Sequence, residues 1–233
     1  MPVFTPLCFT FGVEQKCCPK CNASNITKSG FTTNNKQRYQ CKKCNIRFIC
    51  SYTYNAYKKS INQNVVALIK EGCSIRGIAR LLQISTTTLL KRIVAISKTI
   101  QRPYLSYGKT YEVDELRTYC KNKQQLLWIV LGYERENKHI VTFNVGKRSN
   151  KTLGTVIATL LLSKPKQIFT DKLRNYRYLI PSYLHQTQLY GTNSIERFNL
   201  SVRTHLKRLN RRSICFSKSI ILLAAVLKIY LWG

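Results

Sequence analysis

Acidic residues are what this sequence lacks. It holds two aspartates, Asp114 and Asp171, and seven glutamates against 39 Lys and Arg, for a formal net charge of +30. The positive charge runs along the whole chain, and a hydrophobic fraction of 44% is that of a globular protein, which excludes a disordered basic tail. A negatively charged partner is implied, nucleic acid first and an anionic membrane surface second. Long apolar runs are missing too. The most apolar segment, residues 220–232, is interrupted by Lys228 and falls short of the roughly 20 residues that span a bilayer, so it reads as a core helix closing a domain. Residues 1–13 have neither a positive n-region nor a small-residue cleavage site, so no signal peptide is expected. No Ser, Tyr or Cys sits in a nucleophile-like context, and chemistry through a covalent enzyme intermediate is not called for.

Against so little acid, a carboxylate on the binding face would repel phosphate, and its obvious use is to hold divalent metal against phosphate oxygens. The run Gln167-Ile-Phe-Thr-Asp171 reads as a buried strand whose last residue emerges at the sheet edge where α/β proteins place their chemistry. Glu196 lies near the start of a helix carrying Ile195, Phe198, Leu200, Val202, Leu206 and Leu209. On that helix Glu196, Asn199 and Arg203 share one stripe at i, i+3 and i+7, an acid, an amide and a cation aimed at one target. Taken alone, a Glu–Arg pair on a solvated helix explains the stripe equally well.

A chain of 233 residues can bury one sizeable core plus a small module. Residues 1–60 read as a lead-in and a metal ribbon, 61–102 as a helical DNA-binding domain and 103–233 as a catalytic domain. The ribbon is announced by Cys18-Pro-Lys-Cys21 and Cys41-Lys-Lys-Cys44, nineteen residues apart. Two C-x-x-C knuckles at this separation close a tetrahedral shell of four thiolates, a structural zinc site, whereas a redox pair would need only one. The other cysteines (Cys8, Cys17, Cys50, Cys73, Cys120, Cys215) read mostly as ordinary buried thiols. Asn34-Asn35 marks a turn between short strands, and the aromatics of 48–57 (Phe48, Tyr52, Tyr54, Tyr57) are expected to pack the ribbon onto the next domain.

Residues 62–100 predict three helices. Gly72 stops the first, Ser74 caps the second, and Gln83-Ile84-Ser85 turns into the third. Ala79, Ile84 and Leu89 suit the packing of a helix-turn-helix, although Gln83 stands where glycine often sits. The third helix would present Thr86, Thr87, Thr88, Lys91 and Arg92 to base edges and phosphates of double-stranded DNA. After a linker with Pro103 and Gly108, residues 110–116 predict a strand with Glu112, Asp114 and Leu116 on one face. Strands at 126–133 and 139–145, a helix at 152–162 and the Asp171 strand come next. That order is the ribonuclease-H-like arrangement of a mixed sheet with flanking helices, which sets the first and fourth strands side by side.

From Thr170-Asp171 with Tyr176, through Ile195-Glu196-Arg197-x-Asn199-Leu200-x-x-Arg203-x-His205-Leu206-x-Arg208-Leu209, to Arg211-Arg212-Ser213 and Phe216-Ser217-Lys218-Ser219, the chain resembles the catalytic end of insertion-sequence-one family transposases. The resemblance is dense over residues 170–219 and looser over most of the chain, ribbon and helices included. It implies a DDE enzyme with a ribonuclease-H-like core, in which Asp114, Asp171 and Glu196 hold two catalytic Mg²⁺ or Mn²⁺ ions. It also places Asn199, Arg203 and Arg208 against DNA, Arg203 at the strand terminus. Glu112 and Glu115 compete with Asp114 for the first position, and strand face and resemblance together favour Asp114. One departure is Lys172-Leu173-Arg174, where the family pattern expects a glycine-aromatic pair. The implied partners are element-end and target DNA, with at least a dimer needed to join two ends, in a prokaryotic, nucleoid-associated cytoplasmic setting. The competing reading is a catalytically silent repressor that binds the element's DNA through ribbon and helices; a general nucleoid protein would not need two lone aspartates at strand positions.

Overall fold

The computed structural model describes residues 16–50, 54–58, 60–188, 190–210 and 215–233. The lead-in as far as residue 15, Tyr52 and the Arg211-Arg212-Ser213 run lie outside the described residues. The chain forms two compact units, Met1–Ile61 and Asn62–Gly233.

In the first unit, β1 (Ile26–Phe31), β2 (Gln37–Cys41) and β3 (Arg47–Ile49) make a three-stranded antiparallel sheet. The β1–β2 connection turns at Asn35, whose φ of 54° is the left-handed conformation that asparagine tolerates. Cys18, Cys41 and Phe48 are its buried core, with Ile26, Tyr39 and Ile46 packed around them. Tyr54 and Tyr57, expected to be packing aromatics, are exposed. The scattered cysteines also depart from expectation. Among those described only Cys120 is buried, while Cys50 and Cys215 are exposed.

α1 (Ile61–Lys70) starts at the boundary, with all but its first residue in the second unit, and is followed by α2 (Ile75–Leu81) and α3 (Thr86–Thr99). Ser74 Oγ accepts the Gly77 N–H and Ser85 Oγ the Thr88 N–H, both at 3.0 Å, each cap worth about 1 kcal/mol. Gln83, in a glycine's place, adopts φ 52°, so the turn keeps its shape at some backbone cost. β4 (Thr110–Cys120), β5 (Asn122–Glu134) and β6 (His139–Gly146) then form an antiparallel meander. The hairpin joining β4 to β5 runs past the expected ends: β5 begins at the exposed Asn122, paired with Cys120, before the register shifts and Leu126 pairs with Tyr119. α4 (Asn150–Leu161) crosses back to β7 (Gln167–Thr170), which lies parallel to β4. α5 (Arg174–Leu179), β8 (His185–Gln186), α6 (Asn193–His205) and α7 (Ile220–Trp232) complete the unit.

The five-stranded mixed sheet has the order β6-β5-β4-β7-β8. One face carries Tyr111, Val113, Val130 and Val141 against Leu153, Val156, Ile157 and Leu160 of α4 and Tyr176 of α5. α6 packs against β4. α7 closes the unit as a core helix, lying against α3 and β6, with Trp232 Nε1 donating to the Ile140 carbonyl at 2.8 Å. Gly72, at φ 70°, meets the end of α6: a Cβ there would lie 2.3 Å from the His205 carbonyl oxygen. No described helix is long and apolar enough to cross a membrane.

Candidate active site

Alternation along β4 sends Glu112 and Asp114 to the face covered by α6, while Glu115 turns to the α5 side. The parallel register pairs Val113 with Thr170, so the next step along both chains sets Asp114 level with Asp171, one residue past the end of β7. Asp114 is half-buried, and its Oδ2 accepts from Asn199 Nδ2 at 2.7 Å. Burial holds its carboxyl above the usual range; the charges of Glu115 and Asp171 push the same way, against the Glu115 amide and Asn199. Asp171 is exposed, and its Oδ1 accepts the Leu173 N–H at 3.0 Å, so the departing Lys-Leu-Arg run still supplies a backbone donor to the acid. Glu196 sits in the first turn of α6, where the helix dipole favours a negative charge, and its Oε1 accepts from Thr192 Oγ1 at 2.8 Å.

The two rival glutamates are engaged elsewhere. Glu112 is fully buried in an ion pair with Arg135. Glu115 accepts Tyr176 OH at 2.7 Å and pairs with Arg148 at 2.8 Å. Arg135 was invisible to sequence reasoning: it is one arginine in a turn, 23 residues from its partner, and no periodicity marks it.

The stripe on α6 does not face one target. Glu196 is exposed, Asn199 is 5% exposed and committed to Asp114, and Arg203 Nη1 donates to the Leu209 carbonyl at 2.8 Å. Arg208 is half-buried, donating to Ser217 Oγ at 3.3 Å. On α3, Thr86, Thr87 and Lys91 are exposed. Thr88 and Arg92 are half-buried, Arg92 tied to Asn62 Oδ1 of α1 at 2.8 Å.

The donor chemistry fits a hard dication at the acids. Two carboxylates interact electrostatically, and beside them the buried Asn199 Oδ1 has no hydrogen-bond partner among the described residues. No three carboxylates among the described residues bring oxygens within 4.8 Å of one another. Mg²⁺ tolerates this, since it keeps several waters and uses one or two carboxylates plus substrate phosphates.

The four sulfurs of Cys18, Cys21, Cys41 and Cys44 do converge, all within 4.8 Å of one another, with pairs at 3.4, 3.5 and 3.6 Å. A tetrahedral shell with Zn–S of about 2.3 Å needs sulfurs about 3.8 Å apart. Desolvation opposes ionisation of Cys18, but the Cys21 and Lys20 amides and the neighbouring thiols bring it down to about 6. The Ala23 amide pulls Cys21 the same way, yet desolvation and the other three sulfurs push it up to about 12. A dication would relieve that conflict.

The raised pKa of Asp114 has a consequence for stability. Because its folded value lies above the unfolded one of about 3.9, its contribution is present below the unfolded value and is lost as pH rises through the folded one. In buffer free of divalent metal, Asp114→Asn should therefore melt above wild type at pH 7, with the gap closing toward pH 4. Calorimetry across that range checks this, and a lower melting point for Asp114→Asn at pH 7 would contradict it.

A family model described as IS1 transposase matches residues 109–232. The InsB protein of insertion element IS1 4 from Escherichia coli (strain K12) is 35% identical over 120 residues, 52% of this chain and 72% of that protein. The InsB protein of IS1 from Shigella sonnei is 34% identical over 120 residues, 52% and 92% of the respective chains. A cryo-EM structure of the simian T-cell lymphotropic virus intasome in complex with PP2A regulatory subunit B56 gamma superposes with a TM-score of 0.37 at 18% identity. It covers 70% of this chain and 66% of that one. With the profile spanning more than half of its length, the chain belongs to the IS1 transposase family.

Proposed function

We propose that this transposase binds the terminal repeats of its insertion sequence and cuts and joins DNA strands by phosphoryl transfer in a ribonuclease-H-like domain. The observation that carries this reading is the parallel pairing of Val113 with Thr170, which sets Asp114 on one strand level with Asp171 just past the end of the next, with the helix bearing Glu196 packed on the first of them. When bound there, divalent cations would supply Lewis-acid stabilisation of charge on the phosphoryl oxygens. Asp114, Asp171 and Glu196 are the residues that would hold them. Asn199 orients Asp114 and keeps its Oδ2 hydrogen-bonded. Water attacks phosphorus in line and the P–O3′ bond breaks, freeing a 3′-hydroxyl; that hydroxyl then attacks a target phosphodiester and displaces the target strand's 3′-oxygen, while the cationic surface holds the DNA backbone.

The zinc ribbon and α1–α3, as a helix-turn-helix, supply end recognition, and joining two ends requires at least a dimer. The relatives come from Escherichia coli and Shigella sonnei, which supports a prokaryotic setting, and a DNA substrate would place the protein at the nucleoid in the cytoplasm. Metal-dependent nicking of DNA carrying the element's own ends tests the proposal. Binding without cleavage under any divalent metal would favour the repressor.

End binding has its own test on α3. Lys91 is exposed, so Lys91→Ala should lower the slope of log affinity against log salt by about one. Arg92→Ala should change the slope less, because that guanidinium is tied to Asn62. Fluorescence anisotropy on end DNA at several salt concentrations measures both. An unchanged slope for Lys91→Ala would mean that this helix does not meet the DNA backbone.

A further inference from the structure

Glu112 is fully buried, and its two oxygens serve different elements. Oε1 pairs with Arg135 Nε at 2.6 Å, and Oε2 accepts the Ile195 backbone N–H at 2.8 Å. Ile195 is the third residue of α6, so Glu112 satisfies one of the amides a helix start leaves unpaired, where negative charge is favoured. Arg135, just past the end of β5, donates through Nη2 to the Gly191 carbonyl in the turn leading into α6. Its guanidinium stacks over the Phe169 ring at 3.9 Å. Gly191 presses on the same ring, where a Cβ would lie 2.8 Å from Phe169 Cδ1.

The sequence positions of these contacts matter. Glu112 stands two residues before Asp114 on β4, and Phe169, on β7, two before Asp171 just past its end. Ile195 directly precedes Glu196 on α6. One ion pair therefore touches each of the three elements that carry an acid, at one or two residues' remove. The buried charge here is Glu112, and displacement of the half-buried Arg135 would leave it uncompensated.

We propose that the Glu112–Arg135 ion pair is a positioning device that sets Asp114, Asp171 and Glu196 relative to one another, and so governs metal affinity without touching metal or DNA. This rests on the reading of the three acids as metal ligands. The competing role is plain fold stabilisation, which would lower the melting temperature and leave the metal affinity of folded molecules unchanged.

The test uses full-length, zinc-loaded protein and two readouts: Mn²⁺ uptake, measured as the loss of the free-ion electron paramagnetic resonance signal, and the Mg²⁺ dependence of end cleavage. Glu112→Gln keeps an acceptor for the Ile195 amide but removes the charge. Arg135→Lys keeps the charge but loses the fork to Gly191 and the stack on Phe169; with a side chain 33% exposed it decides the matter should Glu112→Gln fail to fold. Both variants are expected to bind Mn²⁺ about tenfold more weakly and to need about tenfold more Mg²⁺ for half-maximal cleavage, the scale seen when groups supporting metal ligands are removed. On a Glu196→Gln background, Arg135→Lys should add little further loss, because a ligand that the pair positions is already gone. Wild-type uptake matched by equal uptake in folded Arg135→Lys would overturn the positioning role alone. Wild-type protein taking up no Mn²⁺ would overturn the metal-site reading and the inference with it.

Discussion

Asp114→Asn, Asp171→Asn and Glu196→Gln will each abolish strand cleavage and joining while leaving end binding intact or slightly tighter. Each substitution keeps shape and hydrogen-bonding capacity and removes one negative charge. If the three acids hold metal, the loss of any one misplaces an ion that stabilises charge in the transition state. The expected fall is on the order of 10³-fold or more in rate, roughly 4 kcal/mol. Binding should not suffer, because a charge that repels phosphate has gone. Glu115→Gln is the appropriate comparison. Its carboxylate lies on the other side of the sheet with Tyr176 and Arg148, so its removal should lower stability and spare the metal dependence of cleavage. Glu112→Gln is no innocent control, given its contact with the α6 amide. Nicking assays on end DNA in Mg²⁺, with anisotropy for binding, decide the matter. Active Asp171→Asn, or dead Glu115→Gln beside active Asp114→Asn, would show the assignment to be wrong.

Removal of zinc should unfold the ribbon. Among the described residues only Cys18, Cys41 and Phe48 are buried in its core, two of the three being proposed ligands, so little apolar surface is there to hold the strands together. Binding of a structural zinc by four thiolates is worth on the order of 10 kcal/mol at neutral pH and is itself the folding energy of such modules. Purified protein should contain about one zinc per chain. Cys41→Ser should lose it, together with amide protection over residues 18–50, while the sheet of the second unit keeps its own. Elemental analysis and hydrogen exchange measure the two effects. Zinc content unaffected by Cys41→Ser would refute the four-thiolate site.

Much of this was legible in the chain before folding. The two C-x-x-C knuckles announce a metal site because spacing alone brings thiolates to one ion, and all four sulfurs do converge. Ser74 and Ser85 announce helix starts because capping is local chemistry, and both make the expected bonds. The meander and the adjacency of the first and fourth strands were legible from apolar runs and their order, while the parallel sense of that pairing belongs to the fold. Asn199 and Arg203 were legible as members of a helical stripe and, through the resemblance, as expected DNA contacts. In the fold one is buried on Asp114 and the other turned to a backbone carbonyl, because periodicity sets the face of a helix and not the depth at which that face is buried.

Composition and local pattern were enough to establish the scarcity of acid, the cysteine spacing, the capped helices and the alternation that puts Glu112 and Asp114 on one face of one strand. They could not say which of those two carboxylates stays half-buried beside Asn199 and which is locked to an arginine. That distinction depends on partners 23 to 85 residues away, Arg135, Ile195 and Asn199, which only the packing of β5, α6 and β4 brings together. Propensity, capping and period are properties of neighbours along the chain, whereas the pairing of a buried charge is a property of neighbours in space.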